Sequence, residues 1–153
     1  MSASRPTAGS DRASAAHHRR CHRMPISYRL DRPARLIRST VEGDFSAAEM
    51  LSCVSEAVHE VGEPGFNIVS DHRLIGEPAT RDQVELLVDH LTTLQRFVRG
   101  SRWAVIVAKP ASFGMMRMFA VLAERVPLQV RVFMDAAEAE VWARTGEESR
   151  AHA

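Results

Sequence analysis

The sequence predicts an α/β fold: a mixed, mostly parallel five-stranded sheet with about four helices, in the order β-β-α-β-α-β-α-β-α. Three observations predict it. Short β-branched runs alternate with stretches of helical periodicity, which implies parallel neighbours joined by right-handed crossovers. The run Trp103-Ala104-Val105-Ile106-Val107-Ala108 is nearly continuous apolar sequence, the mark of a central strand covered on both faces. Three boxes of the Ser/Thr/Asp-x-x-Glu/Gln kind stand at helix starts: Ser46 with Glu49, Thr80 with Gln83, and Asp135 with Glu138.

The elements follow in order. Residues 26–31 alternate apolar and polar and read as a strand, which Pro33 breaks. Residues 34–42 form a second β-branched run, and the short gap between the two predicts an antiparallel hairpin at the sheet edge. After the turn Gly43-Asp44-Phe45, Ser46 opens a helix whose apolar stripe is Ala47, Met50, Leu51, Val54, Val58 and Val61, and Gly62 ends it. Phe66 to Ser70 is a short strand. Asp71 to Ala79, with Gly76 and Pro78, reads as a loop. Thr80 opens a long helix, striped by Val84, Leu87, Val88, Leu91, Leu94 and Val98 and stopped by Gly100. The central strand ends at Lys109-Pro110. A helix from about Ser112 places Met115, Met118, Phe119 and Leu122 inward, and Pro127 terminates it. Gln129 to Met134 is the last strand, and a short helix runs from Asp135 through Trp142.

The chain has 153 residues, 45% hydrophobic and 25% charged, which fits one folded domain able to bury a core without disulfides or metal. Residues 147–153 read as a frayed polar end. Residues 1–24 carry five Arg and one Asp, so the rest holds 15 basic and 18 acidic residues and is mildly acidic. That balance predicts no nucleic-acid partner, which would need clustered Lys and Arg on one face. The tail lacks large apolar residues until Met24 and is expected to be disordered, because it cannot offset its ordering entropy. Met24 starts the strand pattern, so the first 23 residues read as a dispensable upstream extension, with targeting or non-specific anion binding as the other readings. His17, His18, Cys21 and His22 resemble a metal-binding tract, but in such a tail they would capture metal only adventitiously.

Cys53, within a helical pattern, is expected to be a buried inert thiol. Two cysteines, no secretory signal and no apolar run approaching about 18 residues together predict a protein without a transmembrane segment in a reducing, cytoplasmic compartment. There is no GxGxxG after a strand, no GxxxxGK[ST], no GxSxG and no HExxH. No cofactor is expected.

In open parallel sheets, ligands bind beyond the carboxyl ends of the strands. Four segments are expected to meet there: Gly43–Ser46, Asp71–Thr80, Lys109–Gly114 and Asp135. Each precedes a helix N-terminus, where unpaired N–H groups favour an anion. Equally, Ser46, Thr80 and Asp135 would satisfy only their own helices. Asp71-His72-Arg73 is the densest polar cluster outside the tail. There Asp71 would hold the loop through backbone N–H groups, orient His72 or pair with Arg73. Lys109 is the lone lysine beside 19 arginines, and Arg117 sits in a Met-rich stretch that suits packing or a pliable partner surface. The candidate binding surface is therefore Asp44, Asp71, His72, Arg73, Thr80, Lys109 and Arg117, with no catalytic or metal residue assigned.

Certain pieces, in their order and spacing, make residues 26–143 resemble the SpoIIAA-like proteins, the STAS/SEC14-type domains. They are Val41-Glu42-Gly43-Asp44-Phe45, Val69-Ser70-Asp71-His72-Arg73, Ala104 to Val107 with Gly114 to Phe119, and Val132-Phe133 with Ala136–Trp142. The resemblance implies a STAS-like mixed sheet and a non-enzymatic regulatory module that meets a protein partner. In relatives that antagonise anti-sigma factors, a Ser at a helix start in an Asp-Ser-Ser-Gly-like context is phosphorylated. This chain departs there: the region from Asp71 to Thr80 has no such motif, and Thr80 is the nearest hydroxyl at a helix start. The SEC14-type branch implies instead a carrier of a lipid-like or anionic small ligand. A third reading is an enzyme using Asp71 and His72.

Overall fold

The computed structural model describes residues 19–20 and 26–148. The expectation of a disordered tail, with its His17, His18, Cys21 and His22, otherwise falls outside the described residues, as do residues 149–153. Within the tail, Arg19–Arg20 (β1) runs antiparallel beside Tyr28 and Ser27, so the sheet takes in two residues expected to lie beyond it.

The chain then builds β2 (Ile26–Asp31), β3 (Leu36–Gly43), α1 (Ala47–Val61), β4 (Asn67–Ile75), α2 (Arg81–Thr93), α3 (Gln95–Val98), β5 (Ser101–Ile106), α4 (Pro110–Leu122), β6 (Leu128–Phe133) and α5 (Ala136–Thr145). The sheet order is β1-β2-β3-β4-β5-β6. β2 and β3 form the expected antiparallel hairpin, and β3, β4, β5 and β6 are mutually parallel. The fold is thus α/β with a mostly parallel sheet. The hairpin turn is closed by Arg35, whose φ of 53° lies in the left-handed region, so β3 starts two residues later than the sequence pattern implies.

The two faces of the sheet are covered unequally. On one face α1, α2 and α4 bury Tyr28, Ile37, Val41, Ile68, Ile75, Trp103, Val105 and Val107. On the other, among the described residues, α5 alone packs Ala139, Trp142 and Ala143 over Leu36, Val69, Ala104 and Ile106. β5 is apolar toward both faces, as its continuous run requires. Trp103 meets Phe119 edge to face at 5.3 Å, and its indole N–H donates to Ser70 Oγ at 2.7 Å, which removes the cost of burying that donor. Cys53 lies buried on the inner face of α1.

Strand ends in β5 and β6 shift by one or two residues from the sequence reading, and four other boundaries differ for a local reason. The long helix after Thr80 breaks at Leu94, where the Thr92 and Thr93 hydroxyls bond back to the carbonyls of Asp89 and His90 and compete with helix bonding. The fourth helix starts at Pro110, whose missing N–H is harmless at the first helical position. Its buried residues include Met116 with Phe119, while Met115, Met118 and Leu122 are only partly covered. The last helix runs on to Thr145 and ends at Gly146, with φ 73°. The largest difference is that Asp71 to Ile75 is strand, not loop.

Candidate functional site

β4 is longer than its neighbour. Its pairing with β5 stops at Asp71, opposite Ile106, whereas its pairing with β3 continues to Ile75, opposite Gly43. The last turn of strand therefore overhangs β5 as an arm held from one side. The register slips within this arm: Thr40 pairs with Asp71 but Glu42 with Leu74, so His72 and Arg73 together oppose Val41. One extra residue in β4 makes a bulge. Bulges re-aim side chains and gather near functional positions.

Asp71 holds the bulge. Its carboxylate accepts from the backbone N–H of Arg73 at 3.0 Å, standing in for the ladder bond that the extra residue disrupts. The Arg73 guanidinium then clamps the same carboxylate, with Nη2 donating to Oδ2 at 2.7 Å. Burial opposes ionisation of Asp71, but the side-chain and backbone bonds from Arg73 outweigh it and hold the carboxyl below its usual range.

His72 points the opposite way, as period-2 geometry requires. It is 4% exposed, 6.4 Å from the Phe45 ring, and neither ring nitrogen has a hydrogen-bond partner. Burial depresses its pKa to about 4, with the Asp71 charge opposing weakly, so the ring is neutral near pH 7. This corrects two sequence expectations. His72 is buried rather than displayed at the rim, and no Asp71–His72 dyad forms, because the two side chains leave opposite faces of one strand.

The tip of the arm is tied down. Gly43, left-handed at φ 69°, accepts from Gly76 N–H at 3.0 Å. The Asp44 carboxylate accepts from Glu77 N–H at 3.0 Å. It lies so close to Gly76 that an added Cβ would stand 2.8 Å from Oδ1, which accounts for glycine there. Lys109 Nζ donates to the carbonyls of Ile75 and Gly76 at 3.0 and 3.1 Å, satisfying groups that β5 is too short to reach. Thr80 starts α2 with a complete reciprocal box with Gln83, whose amide also donates to the Phe45 carbonyl at 3.1 Å. Ser46 and Asp135 accept from Glu49 N–H and Glu138 N–H, each serving its own helix.

Asp44, Asp71, Arg73, Thr80 and Lys109 thus belong to one rim. Asp44, Lys109 and Thr80 are scaffold, and Arg73 is displayed. Arg117 is elsewhere, two turns along α4 in a groove beside β6, and Asp135 opens the helix on the other face. Sequence reasoning missed Leu74, 62% exposed beside Arg73. Its only signal is the broken alternation from His72 to Ile75, both of which are buried. Among the described residues no group of three or more His, Cys, Asp or Glu could hold a metal ion, and no helix is long and apolar enough to cross a membrane.

No family model matches the sequence, and no curated protein matches it. A crystal structure of an uncharacterised DUF3478-family protein with a SpoIIAA-like fold, from Shewanella loihica PV-4, superposes with a TM-score of 0.54 at 13% identity. It covers 78% of this chain and 93% of that one. The α/β architecture is the SpoIIAA-like fold.

Proposed function

We propose that this SpoIIAA-like chain is a non-catalytic, STAS-like binding module whose docking element is the bulged arm of β4, offered to a protein partner. The observation that carries the reading is the pairing of display with rigidity. Arg73 and the largely exposed Leu74 stand at the tip of an arm that the Asp71 carboxylate, the Asp44 carboxylate and the Lys109 ammonium fix by bonds to backbone. A cation beside an apolar side chain on a pre-ordered support is the composition of a protein contact, because little side-chain or loop ordering remains to be lost on binding. The buried polar residue of the site, His72, is turned away from solvent, which supports a role without general acid–base chemistry. A carrier role finds little support in the core, since the apolar cavity between α1 and the sheet measures about 20 Å³, room for about one water.

A photo-crosslinking residue at Leu74, compared with one at the exposed Leu86 of α2, tests this in native extract. The Leu74 probe should capture a defined protein that the Leu86 probe does not. The double variant Arg73→Ala, Leu74→Ser should weaken that protein's binding at least about tenfold, as expected when a contact anchor is truncated. Equal binding by the double variant would sink the assignment of this arm.

A further inference from the structure

We propose that two copies of this chain associate through the free edge of β6, forming a two-fold dimer with a continuous sheet. β6 pairs only with β5, so its outer edge has no strand beside it among the described residues. Along this edge runs an open groove of about 560 Å³ lined by Phe113, Arg117 and Val121 of α4, by Glu124 in the 3-10 turn Ala123–Arg125 that follows it, and by Leu128 to Val132 of β6. Val121 is 63% exposed there. A free strand edge beside apolar surface is a template for another strand.

The occupant follows from the register and the charges. In antiparallel pairing, opposed residues share a face of the sheet. A two-fold axis through Val130 sets Val130 against its own copy and Leu128 against Val132 of the second copy, on the α4 side. On the other side Gln129 meets Arg131 of the second copy. Centring on Arg131 would instead set two like charges directly opposite, which is destabilising.

The same axis pairs Arg117 of α4 with Glu124 of the 3-10 turn that follows it. The chain reverses between α4 and β6, which sets the Glu124 end of the helical segment toward the start of β6 and the Phe113 end toward its close. Eleven steps of helix and five of strand each span about 16 Å. The midpoint between Arg117 and Glu124, at Ala120 and Val121, then stands level with Val130 to within about one residue. Rotation about Val130 brings Arg117 of each copy to Glu124 of the other, with Val121 near its counterpart between them. Arg117 and Glu124 have no ion-pair partner of their own among the described residues; Arg117 only overlies the Phe113 ring at 6.0 Å. Arg131, by contrast, is already paired with Glu148 at 3.0 Å. A self-complementary pair of unused opposite charges, symmetric about the centre of an open edge, fits a second copy of the same surface.

Sedimentation equilibrium of the full chain, up to about 100 μM so that a micromolar Kd is populated, tests this. The wild type should run at twice the 17.0 kDa chain mass. Arg117→Glu and Glu124→Arg singly place like charges across the axis and should each raise the dimer Kd about tenfold or more. The double variant carrying both reversals should restore the dimer. Both positions are exposed, so the single variants should keep the wild-type circular dichroism spectrum. A monomeric wild type would overturn the proposal, and so would a dimer indifferent to the single reversals or one not recovered by the double variant.

Discussion

Acidification should expose the cost of burying His72. Above about pH 6.5 the imidazole is neutral in both the folded and the unfolded chain and contributes no pH dependence. Burial lowers its folded pKa to about 4. Between these values the unfolded chain binds a proton that the folded chain refuses, so stability falls as pH falls. The slope approaches about 1.4 kcal/mol per pH unit, and the loss is complete near pH 4 at about 3 kcal/mol. The carboxylates of Asp71 and Asp31, held low by their arginines, add their own losses at lower pH. The comparison that isolates the histidine is therefore between the wild type and His72→Leu, a change of modest volume at a site lined on one side by Phe45. Urea unfolding of both proteins at pH 7.5, 6.5, 5.5 and 4.5 gives the two curves. The wild type should lose about 2 kcal/mol more than the variant over that range. At pH 7.5 His72→Leu should be no less stable than the wild type, because it removes two buried nitrogens that have no partner. Parallel curves would show that the ring is hydrated or bonded in solution, and the account of His72 as a buried neutral residue would fail.

Two further substitutions read the scaffold. Ser70→Ala removes the acceptor of the Trp103 indole N–H inside the core and should cost about 1–3 kcal/mol in urea unfolding, with a change in tryptophan emission; a loss below about 0.5 kcal/mol would mean that this bond adds nothing. Thr80→Ala removes one half of the α2 box and should cost about 1 kcal/mol, while Thr80→Ser should stay within a few tenths; equal losses in both would show that the hydroxyl is not what matters there.

Where one local rule decides an outcome, that outcome was readable from residues alone. The helix starts at Ser46, Thr80 and Asp135 follow from a side-chain oxygen three residues ahead of an N–H that needs it. The central strand follows from six apolar residues that have no polar face to offer water. The hairpin follows from a proline-bearing gap between two alternating runs. What was not readable depends on a neighbour. Asp71 to Ile75 looks like a loop because its own polarity is high, yet it is strand because β3 continues beside it and supplies the ladder. Lys109, expected on the binding surface, is instead a clamp because β5 ends short of β4. Sequence spacing groups Arg117 with the rim, eight residues after Lys109. Helical rise carries it about 12 Å away along α4, to the groove by β6.

The bulge in β4 explains the pattern of Asp71 to Ile75. In a regular strand His72 would be inward, Arg73 outward, Leu74 inward and Ile75 outward. The extra residue opposite Val41 shifts the parity once, so Ile75 takes the inward place and Leu74 joins Arg73 outside. Such a shift leaves the Arg73 N–H without a ladder partner, and the Asp71 carboxylate is the group that meets it. The acid that the enzyme reading set beside His72 therefore serves the geometry that puts an arginine and a leucine on display. Its ionisation, kept easy by Arg73, serves the shape of the arm rather than a proton transfer. Burial of His72 follows from the same register, because the last inward position before the shift is the one it occupies. The inserted residue thus adds Leu74 to the display of Arg73 and turns Ile75 inward, while His72 keeps the inward place that regular alternation already gives it.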